Sequence, residues 1–106
     1  MRVDVSFKYL ERSDFIDNVL DKNIKKIERR IKMFRRDDPV HVSVHMEKNP
    51  NREQYFCRTQ VYLPSRVVMA NGKGVNSSQV INKSFSALSK QLEKVKHRME
   101  RHLRKK

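Results

Sequence analysis

The chain has 106 residues, enough for one domain around one modest core. It is 35% charged, with 25 Lys+Arg against 12 Asp+Glu, and its net charge of +13 points to a polyanionic partner, nucleic acid above all. One cysteine, no apolar leader in residues 1–10 and no apolar run near the roughly 18 residues that cross a bilayer exclude a disulfide framework and a spanning helix, so a cytoplasmic location is expected.

Residues 1–7 alternate, with Val3, Val5 and Phe7 on one side and Arg2, Asp4 and Ser6 on the other, which predicts a strand with one buried face. Ser13 is placed as a helix N-cap, with Asp14 and Asp17 near the positive end of the helix dipole. Ile16, Leu20, Ile24, Ile27, Ile31 and Phe34 then recur every three or four residues. They predict an amphipathic helix of about six turns, ended by Asp37, Asp38 and Pro39. Residues 40–47 alternate again, Val40, Val42, Val44 and Met46 against His41, Ser43, His45 and Glu47, and a turn cluster follows over 48–51. A third strand is predicted over 55–63, with Cys57, Thr59, Val61 and Leu63 on one face, then a tight connection at Pro64 and Ser65 and a short fourth strand over 66–70. Gly72 and Gly74 are expected to form a flexible exit from the sheet. Ser77 or Ser78 is expected to cap the last helix, whose stripe is Ile81, Phe85, Leu88, Leu92, Val95, Met99 and Leu103. Running to about Lys105, it is on the order of 40 Å long, so its C-terminal turns should project beyond the strands.

The order β-α-β-β-β-α gives an α+β fold. The first helix joins two parallel strands by a right-handed crossover, and the other strands follow as hairpins. One apolar face per strand puts both helices on one face of a four-stranded sheet and leaves the other face wet. No repeat or linker divides the chain, so residues 1–106 are read as one domain.

The charge is concentrated. Residues 22–36 hold eight basic residues and one acid, net +7; residues 83–106 hold nine basic and two acids, net +7; the remainder is net −1. Lys22, Lys25, Lys26, Arg29 and Arg36 fall opposite the first apolar stripe, and Lys83, Lys90, Lys94, Arg98, Arg101 and Lys105 fall away from the second. An ordinary helix exterior mixes Glu and Lys at i,i+4 spacing, whereas acids are scarce here. With both helices on one side of the sheet, their outer faces should form one positive surface, and the groove between them would suit a phosphate backbone. A membrane-surface role fits poorly, because the apolar stripes are needed for the core and no Trp is present.

Other constellations carry less. His41 and His45 share a strand face about 13 Å apart, too far for one metal ion, and His97 and His102 lack ligand partners at suitable spacing. Cys57 reads as a buried core thiol, and Glu47 and Glu53 as solvated acids beside a turn. Gly72-Lys73-Gly74 is too short for a phosphate loop. No set of nucleophile, base and oxyanion donors is present, so no enzyme, cofactor or small-molecule substrate is expected. Outward strand positions offer only Phe56 and Tyr62 for base stacking, which favours recognition of RNA shape and phosphates over sequence.

The element order and several local segments resemble the ribosome hibernation promoting factors and ribosome-associated inhibitor A of bacteria. Leu88-Ser89-Lys90-Gln91-Leu92-Glu93-Lys94-Val95-Lys96 is similar to that family's L-x-R/K-Q-L-x-K-x-K, and Lys26-Ile27-Glu28-Arg29 resembles its K-L-E segment. Its D-x-Y-x-A-I-D segment falls on residues 76–82, where the tyrosine becomes Ser78 and the aspartates become Asn76 and Asn82; a family lysine one turn before Lys26 falls on Asn23. The resemblance implies a factor that binds small-subunit rRNA in the channel of mRNA and of tRNA in the A and P sites. It would block translation and protect idle ribosomes under stress or in stationary phase. By matched position it implies Lys26, Arg29, Lys90, Lys94 and Lys96 as rRNA contacts; Lys22, Lys25, Arg30, Lys83, Arg98 and Arg101 join them on face and charge. It further implies a short form without a C-terminal dimerisation domain, and leaves room for a second factor in ribosome pairing. A structural ribosomal protein and a general RNA-binding chaperone are the alternatives.

Overall fold

The computed structural model describes residues 2–32, 41–63 and 66–104, with no side-chain description for Lys32 and residues 99–104. The order is β1 (Arg2–Lys8), α1 (Asp14–Lys32), β2 (His41–Lys48), β3 (Tyr55–Tyr62), β4 (Val67–Gly74) and α2 (Ser77–Arg104). The strands form one sheet in sequence order, β1 parallel to β2 and the other pairs antiparallel. This is the expected α+β arrangement.

Alternation does the sorting. Val42, Val44, Met46, Cys57, Thr59, Val61, Val68 and Ala70 are buried, and Val3, Val5 and Phe7 pack against them from the edge strand. Helix α2 lies across β3 and β4 with Val80, Ile81, Phe85, Leu88, Leu92 and Val95 buried; α1 packs beside it through Ile16, Leu20 and Ile27. Phe34, the last residue of the α1 stripe, lies outside the described residues, as does the expected end of that helix. One buried polar knot sits under α2, where the Thr59 and Ser84 hydroxyls, 3.1 Å apart, each donate to the Ala70 carbonyl at 3.3 Å.

Two expectations are corrected. Gly72 and Gly74 are no flexible exit but strand residues, paired with Cys57 and Tyr55. A Cβ on Gly72 would stand 2.6 Å from the Val80 carbonyl oxygen and 3.0 Å from the Ser84 nitrogen, so the missing side chain lets the α2 backbone lie directly on the strand. The α2 cap is Asn76 rather than Ser77 or Ser78: its Oδ1 accepts from the Ser78 amide at 2.9 Å, the Ser78 hydroxyl at 2.8 Å and the Gln79 amide at 3.4 Å. The α1 cap is as expected, with the Ile16 amide donating to Ser13 Oγ at 3.2 Å. With 28 residues, α2 spans about 42 Å, so it outruns strands of seven or eight residues.

Candidate nucleic-acid interface

Helix α1 turns Ile16, Leu20 and Ile27 inward, which leaves Lys22, Lys25, Lys26 and Arg29 exposed away from the core; Arg30 is exposed as well, on the side that Asn23 takes two turns earlier. Lys25 is held by Asp21 at 3.0 Å, one turn earlier. That pair is solvent-exposed and weak, so it does not remove Lys25 from the charged face.

Helix α2 folds back along β4: Val80 stands over Gly72 and Gly74, and Ser84 over Ala70. Both helices therefore run opposite to β2, side by side and in the same direction. Lys83, Lys90, Lys94 and Arg98 are exposed, whereas Lys96 is half-buried. Intervals of seven and four residues put Lys83, Lys90 and Lys94 in a line along α2, at steps of about 10 and 6 Å. Arg101 lies on α2, but its side chain falls outside the described residues. Among the described residues, Lys22, Lys26, Arg29, Arg30, Lys83, Lys90, Lys94 and Arg98 have no acidic partner within ion-pair distance.

The two rows do not merge. Where the helices meet, Asn23 Nδ2 donates to Asn82 Oδ1 at 3.0 Å and to the Val19 carbonyl at 2.9 Å. Lys83 turns the other way, its Nζ 3.8 Å from the position a Cβ would take on Gly74. The cations thus flank a neutral amide seam instead of filling a groove. The seam also links two departures from the resembled pattern. Asn23 and Asn82 stand where the resemblance implies a lysine and an aspartate, and here they share a neutral hydrogen bond. Asn76, a third departure, keeps the capping oxygen that an aspartate would supply.

Cys57 is buried and hydrogen-bonded to Ser84, and burial pushes its thiol from 9.0 up to about 11, a core group rather than a nucleophile. Asp4 bonds His41, and His45 shares a 2.8 Å hydrogen bond with Ser6, which ties both histidines to β1. Among the described residues no group of three His, Cys, Asp or Glu could hold a metal ion, and no helix is long and apolar enough to cross a membrane. The residues the sequence reading missed are Asn76 and the Asn23–Asn82 pair. An Asn immediately before a helical run signals the cap; nothing in one sequence signals a pair 59 residues apart.

No curated protein is significantly similar to the chain by sequence. Among solved structures, the N-terminal domain of Protein Y from Thermus thermophilus is 18% identical, with a TM-score of 0.72 over 90% of this chain and 99% of that one. A ribosomal subunit interface protein from Coxiella burnetii is 14% identical, also with a TM-score of 0.72, over 92% of this chain and 99% of that one. These likenesses show a shared fold. The family model described as sigma 54 modulation protein / S30EA ribosomal protein matches residues 3–100, and the chain belongs to that family.

Proposed function

We propose that this protein is a ribosome hibernation factor. It binds small-subunit rRNA in the mRNA and tRNA channel, over the A and P sites, and so inhibits translation and protects idle ribosomes in stationary phase or under stress. The observation that carries this reading is the pair of exposed basic rows on α1 and α2, in a chain whose family is named for a ribosomal protein. The likeness in fold to a ribosomal subunit interface protein supports the same partner.

Lys26, Arg29, Lys90, Lys94 and Lys96 are assigned as rRNA contacts, with Lys22, Lys25, Arg30, Lys83, Arg98 and Arg101 adding charge. Inhibition needs occupancy and no chemistry: cations spaced along two rigid helices neutralise phosphates of a folded RNA and release counterions. The domain acts in the cytoplasm as a single unit, alone or with a second factor that pairs ribosomes.

Sedimentation of ribosomes from resting and growing cells, probed for this protein, tests the proposal. It should travel with small subunits in resting cells, be scarce on them during growth, and be displaced by tRNA. Equal presence in all growth phases would instead mark a structural ribosomal protein. Equal affinity for any duplex without competition by tRNA would mark a general RNA chaperone. Lys90→Glu with Lys94→Glu should abolish association while leaving the fold intact, since both side chains are exposed.

A further inference from the structure

The open face of the sheet, turned away from both basic helices, holds a cavity of about 520 Å³. Strand register builds its walls as two cross-strand rows, Glu47, Phe56 and Lys73 in one and His45, Arg58 and Asn71 in the next, with the Cys57–Gly72 pair between them. Strands lie about 4.8 Å apart, and alternate residues about 6.6 Å along a strand. Three columns by two rows therefore cover roughly 10 by 7 Å, close to the footprint of one nucleotide.

Charge is unevenly satisfied across this face. Towards β1, Asp4 is engaged by Arg2 and His41, while His45 meets Ser6 and, at 3.5 Å, Glu47. Towards β4, Arg58 and Lys73 are exposed and, among the described residues, have no acidic partner. Phe56 stands half-buried between Glu47 on β2 and Lys73 on β4. An apolar ring with one cation two residues along its own strand, a second across on β4 and a carboxylate across on β2 calls for a ligand with three complementary parts.

We propose that this cavity binds one phosphorylated purine nucleoside, with guanine preferred. The base stacks on Phe56, the phosphate meets Arg58 and Lys73, and the base edge points to Glu47. The guanidinium fork of Arg58 matches phosphate oxygens, and Lys73 adds a point charge. Glu47 lies across Phe56 from Lys73; its Oε1 is only loosely engaged by His45 at 3.5 Å, so the carboxylate can exchange that contact for N–H donors of a base. Guanine offers a carboxylate two adjacent N–H donors on one edge; adenine offers a single amino group there. The same unit occurs as a free nucleotide and as one residue of single-stranded RNA. The site is separate from the helical surface and does not depend on the ribosome reading.

The test is an amide chemical-shift titration of the full chain and of its Lys90→Glu/Lys94→Glu variant with guanosine monophosphate, adenosine monophosphate, inorganic phosphate and a guanosine trinucleotide. Shifts should centre on residues 56–58 and 71–73 in both proteins, with guanosine monophosphate bound more tightly than adenosine monophosphate and far more tightly than phosphate. Phe56→Leu should weaken binding about tenfold, the size of one lost base–aromatic stack, and Arg58→Glu should remove it; spectral dispersion reports that each variant folds. A trinucleotide that binds more tightly than the mononucleotide assigns the site to RNA, and one that does not assigns it to a free nucleotide. Shifts confined to the helices, equal affinity for phosphate and nucleotide, or unchanged binding by folded Phe56→Leu and Arg58→Glu proteins would overturn the proposal. Equal affinity for the two mononucleotides would overturn the role of Glu47.

Discussion

Gly72 and Gly74 sit two residues apart on one face of one strand, yet their spaces differ. A methyl group at Gly72 would press on the α2 backbone at Val80 and Ser84, which cannot swing aside as a side-chain tip can. At Gly74 the nearest atom, Val80 Cγ2, is 3.4 Å from the Cβ position, an ordinary contact. Gly72→Ala should therefore cost about 2 kcal/mol or more by overpacking, whereas Gly74→Ala should stay within about 0.5 kcal/mol of neutral; urea unfolding of both variants checks this. The buried thiol beside them gives a pH-dependent prediction. In the unfolded chain Cys57 ionises near 9.0, while the folded core holds the proton to about 11, so the folded state binds more protons between those values. Stability should fall as pH rises across that window, by up to about 2 kcal/mol from this group. The extra loss should vanish in Cys57→Ala when urea midpoints are compared at the two ends of the window.

At the level of elements, what alternates or repeats was legible. Period two marked the buried faces of β2 and β3 and the half-buried face of the edge strand β1, and period 3.6 marked both helices, because one-sided burial imposes those periods on composition. The end of β4 was not legible. A glycine that serves close packing and a glycine that frees a chain look alike in sequence, and only the α2 backbone over Gly72 separates them. The helix–helix seam was equally silent, since Asn23 and Asn82 each read as a solvated polar residue. Their bond carries a prediction of its own. Asn82→Ala and Asn23→Ala should each cost up to about 1 kcal/mol. A double-mutant cycle should give a coupling of about 0.5 kcal/mol, because the bond is partly solvated. Asn23→Lys with Asn82→Asp should recover most of the loss at low salt and less at high salt, since a charged pair there would be screened. A zero coupling in the cycle would mean that core packing alone sets the helix spacing.

Taken whole, the molecule has two faces of different character, and the sequence disclosed one of them well. The charge partition and the apolar stripes placed the cations on the outer faces of α1 and α2; Lys22, Lys25, Lys26, Arg29, Lys83, Lys90, Lys94 and Arg98 are exposed, Lys96 is half-buried, and Arg36, Arg101 and Lys105 fall outside the described side chains. Their arrangement as two rows flanking an amide seam depends on how the helices meet, which no local pattern encodes. The open-face cavity depends on strand register, which brings His45, Arg58 and Asn71 into one row although they are far apart in sequence. The two faces can be told apart by salt. If six to eight phosphates are neutralised at the helices, affinity for folded rRNA should fall roughly 10³- to 10⁵-fold between about 50 and 200 mM salt. Lys90→Ala and Lys94→Ala should each lower the slope of log affinity against log salt by about one, the signature of one lost phosphate contact. Arg58→Ala and Lys73→Ala, on the opposite side of the sheet, should leave that slope unchanged. Filter binding of small-subunit rRNA across a salt series measures all four variants, and a slope that changes with Arg58 but not with Lys90 would move the rRNA surface from the helices to the sheet.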